Sequence, residues 1–330
     1  MNATADALRN WLPSQLNTSS GTAVCRWLYT GGNRFTEPFF VETISRCLQL
    51  PENSSRYRAV SGLDVIKDWS GALEPRPPAA FIFHVSRCGS TLLSQLLALS
   101  AQHTVLSEVP VFDELLRLPY GRTPVSQEEA GELFRSALQF YSQSDKDDQR
   151  VFVKTDSWHI FFYPLLRSLY PHTPFLLLYR DPAAVLRSQQ KKRGMHAVPG
   201  VIEPQVFGWD AADVQGLSLD DHLAKVIERY LQAFLDIAEK DRNVLLVNYS
   251  EGMQIIARKL YHFTGIYLSE DEEKQMVERS RFHAKYPGEV FGEATTLPDL
   301  GAAWTNTQKL YQQLENLRTS TSQPVENVPA

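Results

Sequence analysis

The sequence predicts a doubly wound, mostly parallel α/β sheet flanked by helices, with a mixed N-terminal extension. From Ala80 onward, short apolar runs alternate with longer segments of helical periodicity, which is the pattern of β–α–β units. The run PFLLLY, just before Arg180, is apolar throughout, as expected for a strand buried on both faces of a parallel sheet. Ligands bind such sheets beyond the carboxyl ends of the strands, so the turns after the strands form the candidate site.

The predicted elements follow one another along the chain. Four apolar segments are predicted to be strands: AFIFHV from Ala80, RVFVKTD at 150–156, PFLLLYR up to Arg180, and NVLLVNYS at 243–250. Leucines spaced three and four residues apart predict a helix after the first strand. Asp181 suits the N-cap of a later helix, and Pro182 suits its first position. Because these strands are predicted to be parallel, the turns that follow them meet at one edge of the sheet.

The chain divides into three predicted parts. Residues 1–75 form an N-terminal extension packed on the core, since its aromatic residues, Trp11 and Trp27 among them, indicate packed structure rather than disorder. Residues 76–317 form the α/β domain, and residues 318–330 form a polar, flexible tail. With 330 residues and 43% hydrophobic content, the chain is long enough for a sizeable core.

Composition and charge argue against several classes of function. The formal net charge of -5 gives no support to nucleic-acid binding, which requires a basic footprint. Three widely spaced cysteines without a CxxC pair, and eight histidines without a metal-binding spacing, predict neither a disulfide framework nor a metal site. No apolar run approaches the ~20 residues that span a bilayer, and the first residues lack the pattern of a signal peptide. We therefore expect a cytoplasmic protein; the sequence does not indicate its oligomeric state.

The segment SRCGSTLL, after the first strand, has the features of an anion-binding loop. A turn that opens a helix presents free backbone N–H groups and the positive end of the helix dipole. Gly89 allows close approach of a ligand to the backbone, and Arg87 adds a planar cation. The loop of nucleotide hydrolases, G-x-x-x-x-G-K-[ST], requires a lysine where Ser90 stands and a glycine where His84 stands. The segment therefore predicts an anion-binding loop of another kind.

This loop resembles the 5′-phosphosulfate-binding loop of sulfotransferases, approximately P-[KR]-[ST]-G-[ST]-[ST] after a strand. The matching residues are Arg87, Gly89, Ser90 and Thr91. Ser86 stands where proline is usual, and Cys88 stands where serine or threonine is usual. Cys88 keeps the size but weakens the hydrogen-bond donor, so it is either a contact of the loop or a packing residue.

A second segment, FLLLYRDPAAVLRS, resembles the family element that holds the 3′-phosphate of 3′-phosphoadenosine 5′-phosphosulfate (PAPS). That element has an arginine at the end of a strand and a serine on the following helix, here Arg180 and Ser188. A guanidinium matches the geometry of a phosphate. A third, looser resemblance lies in ERSRFHAKYPGEVFGE at 278–293, where Arg281 and Lys285 are candidates for the same phosphate. The two main elements occur in the family's order, and the resemblance spans about residues 80–290.

The resemblance implies a PAPS-dependent sulfotransferase with a three-layer, P-loop-like α/β/α fold. Such an enzyme transfers a sulfuryl group in line to a hydroxyl or amine, releases PAP and requires no metal. The acceptor is a small molecule, a glycan or a peptide. Arg87 and Lys154 are expected to stabilise the transferring group. Glu108 is the expected base and Asp156 the alternative, with His159 as an outside candidate.

Two other functions stay open on the sequence alone. One is a nucleotide-dependent phosphotransferase or hydrolase on the same scaffold, against which the missing glycine and lysine speak. The other is a non-catalytic nucleotide-binding protein, since a fold does not fix a function.

Overall fold

The computed structural model describes residues 3–18, 23–121, 125–144, 148–282 and 298–321, and all structural statements below refer to these residues. The predicted Lys285 lies outside them, as do residues 322–330 of the predicted tail. None of the described helices is both long and apolar enough to cross a membrane.

The N-terminal residues form a small antiparallel sheet with short helices. Its strands pair in the order β1–β2–β3: β1 (Trp11–Asn17), β2 (Val24–Tyr29) and β3 (Val60–Gly62). The accompanying helices are α1 (Ala3–Leu8), α2 (Phe40–Cys47), α3 (Pro51–Ser54) and α4 (Asp64–Ser70). This sheet is the part of the extension that contacts the larger domain.

The larger domain is built on a five-stranded parallel sheet, which confirms the predicted fold class. Its strands are β4 (Ala80–His84), β5 (His103–Ser107), β6 (Arg150–Lys154), β7 (Phe175–Tyr179) and β8 (Val244–Asn248). Their order in the sheet is β5–β6–β4–β7–β8. Every residue of β4 and β7 is buried, so both faces of the sheet centre are covered. The apolar composition of these strands is the cause of this two-sided burial.

Helices occupy the crossovers between the strands and extend to the described C-terminal part. The helices are α5 (Ser90–Leu97), α6 (Pro110–Arg117), α7 (Gln127–Tyr141), α8 (Tyr163–Leu169), α9 (Pro182–Lys191), α10 (Leu219–Lys240), α11 (Met253–Phe263), α12 (Glu270–Arg279) and α13 (Thr305–Thr321). Asp181 caps α9 as predicted, because its side chain accepts a hydrogen bond from the Ala184 N–H at 3.0 Å. Helix α13 continues to Thr321, past the predicted start of the tail at 318.

Strand β5 is absent from the four strands predicted by the sequence. Its segment, HTVLS, is short and begins and ends with polar residues, so it lacks the long apolar run of a central strand. It lies at the edge of the sheet and pairs with β6. The strand matters for the site, because Glu108 follows it directly.

The strand order creates a crevice between β4 and β6. From β4 the chain crosses to β5 at one edge of the sheet, and from β6 it crosses to β7 on the other side of β4. Adjacent parallel strands whose connections run in opposite directions leave an opening beyond their carboxyl ends. The turn at 86–91 and the turn at 154–156 flank this opening, as the sequence predicted.

The N-terminal sheet packs on α6 and α7. The Tyr141 hydroxyl of α7 donates a hydrogen bond to the carbonyl oxygen of Pro13 at 2.5 Å, and both groups are buried. The Leu16 N–H donates to Glu114 Oε2 of α6 at 2.5 Å. The rings of Trp27 and Phe140 meet edge to face with centroids 5.0 Å apart. These contacts tie the extension to the helix that follows Glu108.

We expect Tyr141→Phe to lower the free energy of unfolding by about 1–2 kcal/mol, since it leaves the buried Pro13 carbonyl without its donor. Urea denaturation followed by circular dichroism measures the change. Tyr57→Phe is the matched control, because Tyr57 is 88% exposed. Equal stability of the two variants would contradict the role of this hydrogen bond.

Candidate active site

A cavity of about 480 Å³ lies at the carboxyl edge of the sheet. The turns after β4, β5, β6, β7 and β8 contribute to its wall, together with the segment after α9. The sequence-predicted residues in its lining are Arg87, Gly89, Ser90, Thr91, Glu108, Asp156 and Arg180. The structure therefore brings together residues from four separate turns.

The loop after β4 has an unusual backbone. Ser86, Arg87 and Gly89 all have positive φ angles, of 65°, 52° and 85°. Left-handed backbone is uncommon for residues other than glycine and is found preferentially at functional sites. Gly89 then begins α5 as its N-cap. The loop is thus a tight turn whose backbone leads into the N-terminus of a helix, where anions bind.

Glycine is required at position 89 for steric reasons as well. A Cβ atom there would lie 2.8 Å from two carbons of the Tyr249 ring and 3.0 Å from the sulfur of Met253. Tyr249 follows β8, and its ring also lies 4.3 Å from the guanidinium carbon of Arg180. Gly89 therefore allows Tyr249 to pack against the loop and to support Arg180.

Hydrogen bonds fix the position of His84 at the end of β4. Its Nδ1 accepts from the Ser86 N–H at 3.1 Å, so the proton of the neutral ring lies on Nε2. Nε2 is 3.0 Å from the carbonyl oxygen of Thr155 and 3.5 Å from Glu108 Oε1. Burial lowers the pKa of His84, although the hydrogen bond with Glu108 opposes this shift. The ring is a buried, hydrogen-bonded histidine that links the first loop to Glu108.

Glu108 and Lys154 form an ion pair at the cavity wall. Lys154 Nζ lies 2.5 Å from Glu108 Oε1, with the lysine side chain fully buried and that of Glu108 24% exposed. The Glu108 N–H also donates to the Lys154 carbonyl oxygen at 2.9 Å. Burial opposes ionisation of Glu108, but Lys154 and His84 outweigh it and hold the pKa of the carboxyl well below its ordinary value. Glu108 is ionised throughout the physiological pH range.

The two predicted arginines meet at the loop. Arg87 donates through Nη2 to the carbonyl oxygen of Lys192, and Arg180 donates through Nη1 to the Arg87 carbonyl oxygen at 2.9 Å. Carbonyl acceptors leave the guanidinium charges in place. Burial lowers the pKa of both arginines. The arrangement brings two cations to one side of the cavity.

Other predicted residues lie outside the cavity lining. Cys88 is fully buried, and its Sγ lies 3.5 Å from the Leu178 carbonyl oxygen, so its side chain packs in the core. Burial raises the pKa of its thiol to about 12. Ser188 is half-buried on α9, and Arg281 is exposed just after α12.

Asp156 lies beside a group of polar residues that sequence reasoning did not assemble. Asp113 of α6 accepts hydrogen bonds at 2.6 Å from Trp158 Nε1, at 3.0 Å from His159 Nε2 and at 2.7 Å from Arg117 Nη1. Asp156 and Asp113 are each a carboxylate with His159 between them. These three are the one group in the described chain whose donor atoms lie close enough for a metal, within 4.8 Å of one another. Their hydrogen bonds already account for the contacts of Asp113.

Several cavity residues were missed by sequence reasoning. Tyr249, Lys192, Trp158 and Phe39 line the cavity. Tyr249 follows the last strand, so its place at a strand end was the available signal. Lys192 belongs to a KKR run that resembles a solvated helix end, whereas the structure directs its carbonyl toward Arg87. Phe39 comes from the N-terminal extension, which carries no motif.

A buried hydrogen-bond chain connects the first loop to the segment after α9. Gln189 Nε2 lies 3.2 Å from Ser86 Oγ and 3.1 Å from His196 Nε2, and its Oε1 accepts from the Gly194 N–H at 2.7 Å. Burial, together with the positive charges of neighbours such as Arg87, lowers the pKa of His196 to about 3. The chain fixes the segment that covers one side of the cavity.

Comparison with known proteins gives one family. A family model described as "Sulfotransferase family" matches residues 78–270. No curated protein matches the chain. Solved structures similar to it include a sulfotransferase of Mycobacterium tuberculosis, with 13% identity, a TM-score of 0.43, and coverage of 76% of this chain and 78% of that one. The sulfotransferase domain of the curacin biosynthetic pathway has 14% identity, a TM-score of 0.49, and coverage of 73% and 99%. A mouse sulfotransferase complexed with PAP has 13% identity, a TM-score of 0.37, and coverage of 81% and 94%.

We expect Gly89→Ala to destabilise the protein by about 1–3 kcal/mol more than Gly216→Ala does, because overpacking adds to the backbone strain. Gly216 has a similar φ of 74°, and a Cβ there would meet nothing within 4 Å. Urea denaturation of both variants separates the clash with Tyr249 from the cost of left-handed backbone. Equal losses would show that no clash occurs.

Acid should weaken the fold through His196. Its pKa is lower in the folded protein than the ordinary value, so the unfolded chain binds the proton first and stability falls as pH drops below about 6.5. Between pH 7 and pH 5 this group alone should remove about 2 kcal/mol.

His196→Gln should flatten that pH dependence of the free energy of unfolding, and His262→Gln, at an exposed position, should not. Denaturant titrations at pH 5, 6 and 7 measure the slopes. A slope for His196→Gln equal to that of the unchanged protein would contradict the assignment.

Proposed function

This chain belongs to the sulfotransferase family, and from that membership we propose that it transfers a sulfuryl group from PAPS to a hydroxyl or amine of an acceptor and releases PAP. One observation carries the proposal. The loop at 86–91, Arg180 and the Glu108–Lys154 pair all border one cavity at the carboxyl edge of the sheet. Anion-binding groups thus face a carboxylate across a space of about 480 Å³.

The loop after β4 suits the 5′-phosphosulfate. The first N–H groups of α5 have no acceptor within the helix, and the helix dipole favours negative charge there. Gly89 lets an anion approach the backbone, because the position carries no Cβ. Ser90 and Thr91 add hydroxyl donors, and Arg87 adds a charge. We propose that Cys88 contributes its backbone alone, since its side chain is buried.

Arg180 is proposed to bind the 3′-phosphate, with Ser188 as a second donor. Tyr249 lies against the guanidinium, and the hydrogen bond from Arg180 to the Arg87 carbonyl couples the two phosphate-binding positions. A preorganised guanidinium loses less entropy when it binds a phosphate than a free one. Arg281 and Lys285 remain proposed contacts to the same phosphate.

In the proposed transfer, the acceptor oxygen forms the new O–S bond while the bond between sulfur and the bridging oxygen of PAPS breaks, and PAP leaves with that electron pair. Charge spreads over the sulfonate oxygens in such a transition state, so positioned cations stabilise it. Lys154 and Arg87 are proposed for this role. The positive charge they supply is of the kind that metal ions supply in phosphoryl transfer.

Glu108 is proposed to take the proton of the acceptor. Its depressed pKa keeps it ionised but makes it a weak base. A loose transition state has little bonding to the nucleophile, so the proton leaves late and a strong base is unnecessary. Orientation of the acceptor by Glu108 is therefore its main contribution. Asp156 stays the alternative base, since it lines the same cavity.

We expect PAP to stabilise the protein against thermal unfolding by about 2.7 kcal/mol at a concentration 100 times its dissociation constant. ATP and GTP with magnesium should give smaller shifts, because they lack the 3′-phosphate that Arg180 is proposed to bind. Thermal-shift titration of the full chain makes the comparison. A preference for ATP with magnesium would favour a phosphotransferase or hydrolase and sink the proposal.

Two variants separate binding from transfer. Arg180→Ala should weaken PAP binding by roughly 10- to 100-fold, the range of a charge-assisted hydrogen bond. Glu108→Gln should keep PAP binding and lower turnover of PAPS by roughly 100-fold or more. Arg258→Ala is the control for the first variant, because Arg258 is a surface residue paired with Glu273. Normal PAP binding by Arg180→Ala would show that its role is wrongly assigned.

A further inference from the structure

Asp156 lines the cavity without a hydrogen-bond donor of its own. The nearby donors are directed to Asp113 instead: Trp158 Nε1, His159 Nε2 and Arg117 Nη1. His159 Nε2 lies 3.8 Å from Asp156 Oδ2, which is beyond hydrogen-bond distance. Among the described residues, none donates a hydrogen bond to the Asp156 carboxylate. The partner of this half-buried group must therefore come from the cavity.

The wall around Asp156 also carries more carboxylates than cations. Glu108 already takes the buried lysine, and Arg117 is shared by Asp113 and Glu203 at 2.7 Å each. Burial and the like charges of Glu108 and Asp113 raise the pKa of Asp156 well above its ordinary value. A cation placed at Asp156 would reverse that effect, since opposite charge favours the ionised carboxylate.

The rest of the wall on this side is apolar. Phe39, Trp158, Met195 and Phe282 line the same cavity. Trp158 is the neighbour of Asp156 along the 3₁₀ turn, so an aromatic ring and a carboxylate border the same part of the space. An aromatic ring beside a carboxylate is a favourable environment for an organic cation.

We propose that Asp156 determines acceptor specificity by binding a protonated amine, so that the acceptor is an amino alcohol with an apolar body. This inference rests on the proposed sulfuryl transfer. The ammonium donates to Asp156, and the hydroxyl that is sulfated faces Glu108. The two carboxylates thereby have different tasks: Glu108 receives the proton of the reacting hydroxyl, and Asp156 holds the other end of the acceptor.

Matched acceptors test the proposal by kinetics. Amino alcohols with chains of three to eight carbons are compared with alkanols in which a methyl group replaces the ammonium. The unchanged enzyme should prefer the best amino alcohol at least tenfold in kcat/KM. Asp156→Asn should reduce the preference below about threefold by raising KM for the amino alcohol, while kcat for the alkanol stays within threefold. Glu203→Gln removes the same charge outside the cavity lining and should keep the preference.

A binding measurement makes the test independent of turnover. Isothermal titration of the PAP-saturated protein with the same amino alcohols, in two buffers of different ionisation enthalpy, should show release of a proton on binding. Asp156→Asn should lose that proton release and bind the amine at least tenfold more weakly. A residue with only a structural role would not change the number of protons released.

The remaining outcomes each decide the matter. Absence of binding and of preference for every chain length would overturn the amine assignment, even if PAP binds and PAPS turns over. An equal loss of kcat on amino alcohols and alkanols in Asp156→Asn would make Asp156 the base instead. Failure of PAP to bind would overturn the proposed function itself, and amine binding by titration would still be measured separately.

Discussion

The buried ion pair between Lys154 and Glu108 is the interaction on which the candidate site depends. Lys154 ends the strand between β4 and β5, with its backbone paired to Ile82 on one side and Ser107 on the other. Removing the partner of a buried charge is strongly destabilising, by about 3–5 kcal/mol in measured cases. The turn after β5 must therefore deliver a carboxylate to this lysine. It does so although Glu108 has to adopt a φ of 53°.

Backbone strain is concentrated around this pair. Among the described residues other than glycine, positive φ angles occur at Asn10, Ser86, Arg87 and Glu108, and the last three border the cavity. His84 joins the two strained turns, since it accepts from the Ser86 N–H and lies 3.5 Å from Glu108. Strained conformations persist only where the surroundings determine them, and here the surroundings are a buried ion pair and a buried histidine. The site is thus held by the core rather than by its ligand.

Sequence reasoning reached the fold and much of the site, for a physical reason. The apolar strands β4, β6 and β7 identify themselves by composition, and parallel topology then places Arg87, Asp156 and Arg180 at one edge. Contacts through the main chain could not be found in this way. The acceptor of Arg87 is a carbonyl oxygen, that of Lys192, and any residue type provides one. Side chains that act through three-dimensional proximity, such as Asp113 beside His159, likewise carry no motif.

The cavity has two sides of opposite charge, although the chain as a whole carries only -5. Arg87 and Arg180 meet at the loop after β4, whereas Glu108 and Asp156 lie on the wall after β5 and β6. Lys154 stands between them, and its full burial keeps its charge unscreened by solvent. Such a separation suits a reaction that binds an anionic donor on one side and removes a proton on the other. It also gives a reason for the second carboxylate: a wall that needed only a base would be complete with Glu108, and an additional unpartnered Asp156 is favourable only if a cation from outside balances it.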